Sequence, residues 1–132
     1  MMRVINPESL GLPKGYANGM LAPAGGRLLF VAGQVGWGPG QKVVEGGFIP
    51  QFEQALRNVL TVVEAAGGKT EHIGRLTIYV VAKRQYKADP KAVGAAYRNV
   101  MEKHFPAMAL LEIKSLLDPD AVVEIEATAV IP

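Results

Sequence analysis

The stretch "AVVEIEATAV", residues 121–130, constrains the fold more than any other part of the chain. Read as a strand, it places Val123, Ile125, Ala127 and Ala129 on one face and Val122, Glu124, Glu126, Thr128 and Val130 on the other. The first face is wholly apolar and needs a cover, which the helices supply. The second sets two carboxylates, two residues apart, among small and apolar neighbours. Only two helical patterns are available as covers. Phe52, Ala55, Leu56, Val59, Leu60, Val63 and Ala66 recur at helical spacing, and Gly67-Gly68 supplies a stop. Asp89 offers an N-cap and Pro90 fits a first helical turn, with Val93, Ala96, Tyr97, Val100 and Met101 as the stripe. Pro106 ends this second helix near His104.

The remaining β-rich segments set the order. Two runs flank the turn signal Gly25-Gly26, which predicts a hairpin ending near Gln34. "RLTIYVVA", residues 75–82, is β-branched and aromatic and reads as a buried strand. "MALLEIK" gives another strand, joined to the last by the turn "LLDPD". The expected architecture is an α+β sandwich of order β-β-α-β-α-β-β, a mixed sheet with two helices on one face. At 132 residues a single domain, 1–132, is expected. Strands Leu28 to Val35 and Leu76 to Ala82 are apolar on both faces, so the second face of the sheet needs a cover that this chain does not contain. Another subunit is expected to supply it, with Glu124 and Glu126 at or beside the interface.

Composition removes several function classes. The chain is 49% hydrophobic and 20% charged with a net charge of +2, which describes a globular protein with only a small surplus of basic residues. Its lysines and arginines are scattered, so neither nucleic acid nor an anionic membrane is an expected partner. There are no cysteines, which excludes disulfides, thiolate metal ligands and a cysteine nucleophile. No apolar run resembles a signal peptide or a membrane span, and a cytoplasmic location is the default expectation. "GGKT" at 67–70 falls where a helix ends, whereas a phosphate-binding loop needs one to begin. "GWGPG" likewise has no following helix to present its amides to a phosphate. His72 and His104 are the only histidines and are far apart in sequence, and Ser9 and Ser115 sit in no nucleophile elbow. No metal or cofactor is expected. What remains is a set of polar groups at strand ends: Tyr16, Gln34 and Glu124, with Glu126 nearby.

"GYANG", "VAGQVG", "VVEAAGG", "FPAMALLEI" and "VEIEATAV", in this order and spacing, resemble the Rid family (YjgF/YER057c/UK114, or L-PSP) over nearly the whole chain. The resemblance implies a chorismate-mutase-like fold. It also implies a homotrimer whose sheets face inward, with small-molecule clefts between adjacent subunits. Well-known members hydrolyse reactive enamines and imines to a carbonyl compound and ammonia; others have been described as ribonucleases. By resemblance Tyr16 is the tyrosine of the cleft wall, Gly33 the strand glycine and Glu124 the acid that holds the attacking water. Gln34 lies next to that glycine and is carried with the binding set.

The chain departs from the family at four positions. The arginine that follows "FPA" in the imine hydrolases is Met108 here. Leu110 stands for a cysteine, Ala32 for a serine and Gly94 for an asparagine of the second helix. An arginine fork grips a carboxylate through two hydrogen bonds, whereas a thioether donates none. Losing such a pair in a desolvated cleft costs on the order of 2–5 kcal/mol. Simple 2-imino acids are therefore expected to bind badly unless Arg98 or Lys114 substitutes. Three readings follow: a deaminase for an imine or enamine without that carboxylate, a non-catalytic trimer binding an apolar metabolite at Met108 and Leu110, and an RNA-cleaving protein. The last has the least sequence support, since no basic stripe or exposed aromatic run offers a binding surface.

Overall fold

The computed structural model describes residues 1–132. Its longest helix, α1 (Phe48–Ala65), forms where the apolar stripe requires it and buries Phe48, Phe52, Ala55, Leu56, Val59 and Val63. It starts four residues before the predicted stripe. Gly67 ends it at φ +88°, and the Gly68 amide donates to the Val63 carbonyl at 2.9 Å. A left-handed residue here satisfies carbonyls that the helix leaves open, and glycine adopts it without strain. Helix α3 (Pro90–Met101) follows its predicted pattern: the Asp89 carboxylate accepts from the Ala92 amide, and Val93, Ala96, Tyr97, Val100 and Met101 are buried. A short helix, α2 (Lys83–Ala88), precedes it and adds a third to the two expected.

Six strands accompany the helices: β1 (Arg3–Ile5), β2 (Gly19–Leu21), β3 (Arg27–Val35), β4 (Ile73–Val80), β5 (Ala107–Glu112) and β6 (Val123–Ile131). The main sheet has the order β3-β6-β4-β5. β6 is antiparallel to both neighbours, and β5 runs parallel to β4 after the helical crossover. The hairpin predicted at Gly25-Gly26 does not form. β2 pairs instead with β1 in a separate two-stranded sheet. The physical reason is length: the nine residues of β3 find a partner of equal length in β6, whereas β2 offers only three. The last two strands, joined by the predicted turn, are likewise not neighbours, because β4 stands between them.

The two faces of the sheet differ as the alternation of β6 requires. Val123, Ile125, Ala127, Ala129 and Ile131 are buried beneath the helices with Leu76, Ile78 and Val80 of β4 and Val31 of β3. On the opposite face Leu28 pairs with Val130 and Phe30 with Thr128. Nothing in the chain covers them: Leu28 is 63% and Phe30 75% exposed. Large apolar side chains left open on a sheet face mark a surface made for contact.

Candidate functional site

Glu124 and Glu126 share the open face but are held differently. Glu126 lies across from Thr77 on β4, and Glu124 across from Tyr79. The Tyr79 hydroxyl reaches diagonally to donate to Glu126 Oε1 at 2.6 Å. That bond is the main cause of an upward shift in the Tyr79 pKa, with burial and the charges of Glu126 and Glu124 adding to it. Glu126 is thus tied into the sheet. Glu124 borders a recess of about 440 Å³ with Gly33, Trp37, Leu117, Asp118 and Asp120 among its walls. Gly33 lets the acid sit close to β3: a Cβ there would stand 2.7 Å from the Glu124 carboxyl carbon. Glycine lets β3 pass directly over the acid, and a side chain at this position would displace it.

The loop beside Glu124 is fixed from below by α1. Gln51, 5% exposed, is the one buried polar residue of the core. Its Nε2 donates to the Asp120 carbonyl at 3.1 Å and its Oε1 accepts from the Val122 amide at 2.9 Å. Asn58, two turns on, donates to the carbonyls of Val35 and Trp37, and the Trp37 indole donates to Asp118 at 3.3 Å. These residues position the Glu124 recess and were not singled out from sequence. The signal that could have found Gln51 is its place in the apolar register of α1, four residues before Ala55, where only a satisfied amide is tolerated. Gln51→Ala is expected to lower stability by about 1–3 kcal/mol, since it leaves the Val122 amide buried without a partner. Urea unfolding followed by circular dichroism measures this.

The other residues assigned from sequence lie elsewhere. Tyr16, Met108 and Leu110 border one recess of about 200 Å³ with Lys14, Gly15, Ile78 and Tyr86. Met108 also borders a second recess of about 330 Å³, which includes Gly94 and Arg98. In β5 the register pairs Met108 with Leu76 and Leu110 with Ile78, so both point to the helix side of the sheet, away from Glu124. Gln34 sits past a bulge between Val31 and Gln34. Its amide donates to the Ala32 carbonyl, and it borders a separate depression with Trp37 and Asn58. Within one chain, then, Glu124 and Gly33 form one group, and Tyr16, Met108 and Leu110 another. Lys114 follows the end of β5 and is exposed. The histidines serve the backbone: His72 Nδ1 accepts from the Lys69 amide, and His104 Nε2 lies 2.7 Å from the Ile73 carbonyl oxygen.

The family model described as Endoribonuclease L-PSP matches residues 13–131. The chain belongs to the Rid (YjgF/L-PSP) family. Among Rid relatives, a RutC family protein of Aquifex aeolicus is 34% identical over 103 residues, covering 78% of this chain and 80% of that protein. The 2-iminobutanoate/2-iminopropanoate deaminase of Escherichia coli K12 is 32% identical over 108 residues, 80% of each chain. A crystal structure of YyfB from Yersinia pestis, described as a Rid protein of unknown function, superposes with a TM-score of 0.85. It is 32% identical and covers 98% of both chains. These comparisons agree with the α+β chorismate-mutase-like fold expected from the sequence; the sheet is mixed as expected, and four of the strands form it.

Proposed function

We propose that this Rid protein is an imine or enamine deaminase whose cleft forms between adjacent copies of a homotrimer, acting on substrates other than simple 2-imino acids. The observation that carries the reading is the separation of the two residue groups in one chain. Glu124 and Gly33 face one way and Tyr16, Met108 and Leu110 the other. The uncovered apolar face with Leu28 and Phe30 supplies the surface through which a second copy can bring the groups together. The deaminase name of the Escherichia coli relative supports the reaction class.

In the proposed chemistry Glu124 accepts a hydrogen bond from water and takes its proton as the oxygen adds to the imine carbon. The proton passes to nitrogen to give a carbinolamine; Glu124 then takes the remaining hydroxyl proton and delivers it to nitrogen as the carbon–nitrogen bond breaks, and a carbonyl compound and an amine or ammonia leave. The Glu124 carboxylate is suited to this because Tyr79 engages Glu126 and leaves Glu124 without a side-chain partner. Met108, in the position that the family resemblance gives to an arginine, offers hydrocarbon and a thioether where a 2-imino acid presents its carboxylate. A second reading, binding without turnover, draws on the apolar recess at Met108.

Ammonia release from a neutral imine and from a 2-imino acid generated by an amino-acid oxidase separates these readings. Expected is turnover of the first and little of the second by the wild type. Met108→Arg should then raise activity on the 2-imino acid, only in part, because an arginine entering an apolar wall carries a desolvation cost. Strong wild-type turnover of the 2-imino acid would refute the substrate assignment, and no turnover of any imine would favour the binding reading.

A further inference from the structure

The recess holding Tyr16 and Leu110 adjoins the recess holding Gly94 and Arg98, the two sharing Gly15, Ile78, Tyr86 and Met108 as walls. Met108 is at the junction. The recess with Arg98, about 330 Å³, is walled by apolar side chains such as Phe52, Val93 and Phe105, and its only charged residues are Lys87 and Arg98. Both are cations, and the chain's one salt bridge joins Arg57 to Glu53, so neither has an acidic partner. Gly94 explains the pose of Arg98. A Cβ at Gly94 would stand 3.0 Å from Arg98 Nη1, so the guanidinium folds back along α3 over the residue one turn before it. A large side chain at 94 would push it away.

We propose that this second recess is a binding site for an amphipathic carboxylate, with an aromatic ring or branched chain against Met108 and the carboxylate on Arg98. The proposal rests on the deaminase reading of the cleft and specifies its substrate class: the anion is bound beyond Met108, with an apolar spacer between it and the reactive end near Tyr16. Three properties of the recess select this class. Its volume falls in the range of small-molecule sites. The unpaired guanidinium presents two parallel donors that fit a carboxylate. Met108, unbranched and polarizable, flanks hydrocarbon or a ring where an arginine would hold charge.

The test is calorimetric titration of the protein with 3-phenylpropionate, its neutral amide 3-phenylpropionamide, and propionate. The acid should bind about tenfold more tightly than the amide, a modest factor because Arg98 is solvent-exposed. It should also bind more tightly than propionate, which has the charge without the ring. Arg98→Gln should abolish the preference for acid over amide. Gly94→Leu should do the same by displacing the guanidinium, and circular dichroism checks the fold of both. Equal affinity for acid and amide, binding of neither, or a preference that survives both variants would overturn the proposal. Glu124→Gln keeps the two readings apart. It should lose imine turnover yet retain the acid preference; in the wild type, turnover without the preference defeats only the anion site, and the preference without turnover defeats only the deaminase reading.

Discussion

Glu124→Gln is expected to lower turnover of a neutral imine by a factor of about 10²–10⁴, the usual contribution of a positioned general base. The amide keeps the shape of the side chain and still offers an oxygen to water, but it cannot take up the proton released as oxygen adds to the imine carbon. The mass of the assembly and its melting temperature should not fall, because no side chain of the chain hydrogen-bonds to Glu124 and its loss leaves nothing unpaired. Glu126→Gln is the informative control. There the Tyr79 hydroxyl, 2.6 Å from the carboxylate, loses a charged acceptor, so the effect should fall on stability. Steady-state ammonia release and thermal unfolding of both variants measure the contrast. Lost turnover in Glu126→Gln with activity kept in Glu124→Gln would reverse the two roles.

If the proposed homotrimer forms through the uncovered sheet face, Phe30→Asp is expected to leave the protein monomeric at micromolar concentration. Phe30 stands in the uncovered sheet face, 75% exposed in the single chain. Burying a phenylalanine contributes roughly 1.5–3 kcal/mol, and the substitution removes that in every copy while placing a carboxylate against an apolar partner surface, near Glu126 and Glu124. The fold of each chain should survive, because residue 30 points away from the helices and the core lies on the other side of β3 and β6. Sedimentation equilibrium reads the mass, and far-ultraviolet circular dichroism reads the fold. A Phe30→Asp protein that remains trimeric would place the interface elsewhere.

What the sequence made legible follows from which signals are local. The burial of Val123, Ile125, Ala127 and Ala129 follows from alternation alone, and α1 and the capped start of α3 follow from stripe, cap and glycine stop. Strand partners were not legible. Choosing β6 over β2 as the partner of β3 is a contest between segments about a hundred residues apart, and three-residue strands such as β1 and β2 have no periodicity to read. The site divides in the same way. That Glu124 faces away from the helices is visible in the strand pattern, but Tyr79 as the partner of Glu126 depends on the register between β4 and β6. Gln34 shows the limit of alternation. Strict alternation would set it on the open face with Phe30, yet the bulge in β3 carries it to the helix side, where it borders a depression with Asn58. The resemblance placed Tyr16, Met108 and Glu124 in a cleft between adjacent subunits, and within one chain they lie on separate surfaces, a separation that depends on the sheet topology.

The completion of the cleft by a second copy can be measured without knowing the substrate. The chain contains no cysteine, so Leu110→Cys/Glu124→Cys introduces two unique thiols. Within one chain they lie on opposite faces of the sheet, residue 110 beside Ile78 and residue 124 beside Tyr79. A short bismaleimide should join residue 110 of one copy to residue 124 of the next and give covalent species of two and three chains on a denaturing gel, with each single variant as the control. A product of single chains only would contradict a cleft built from these two groups of residues.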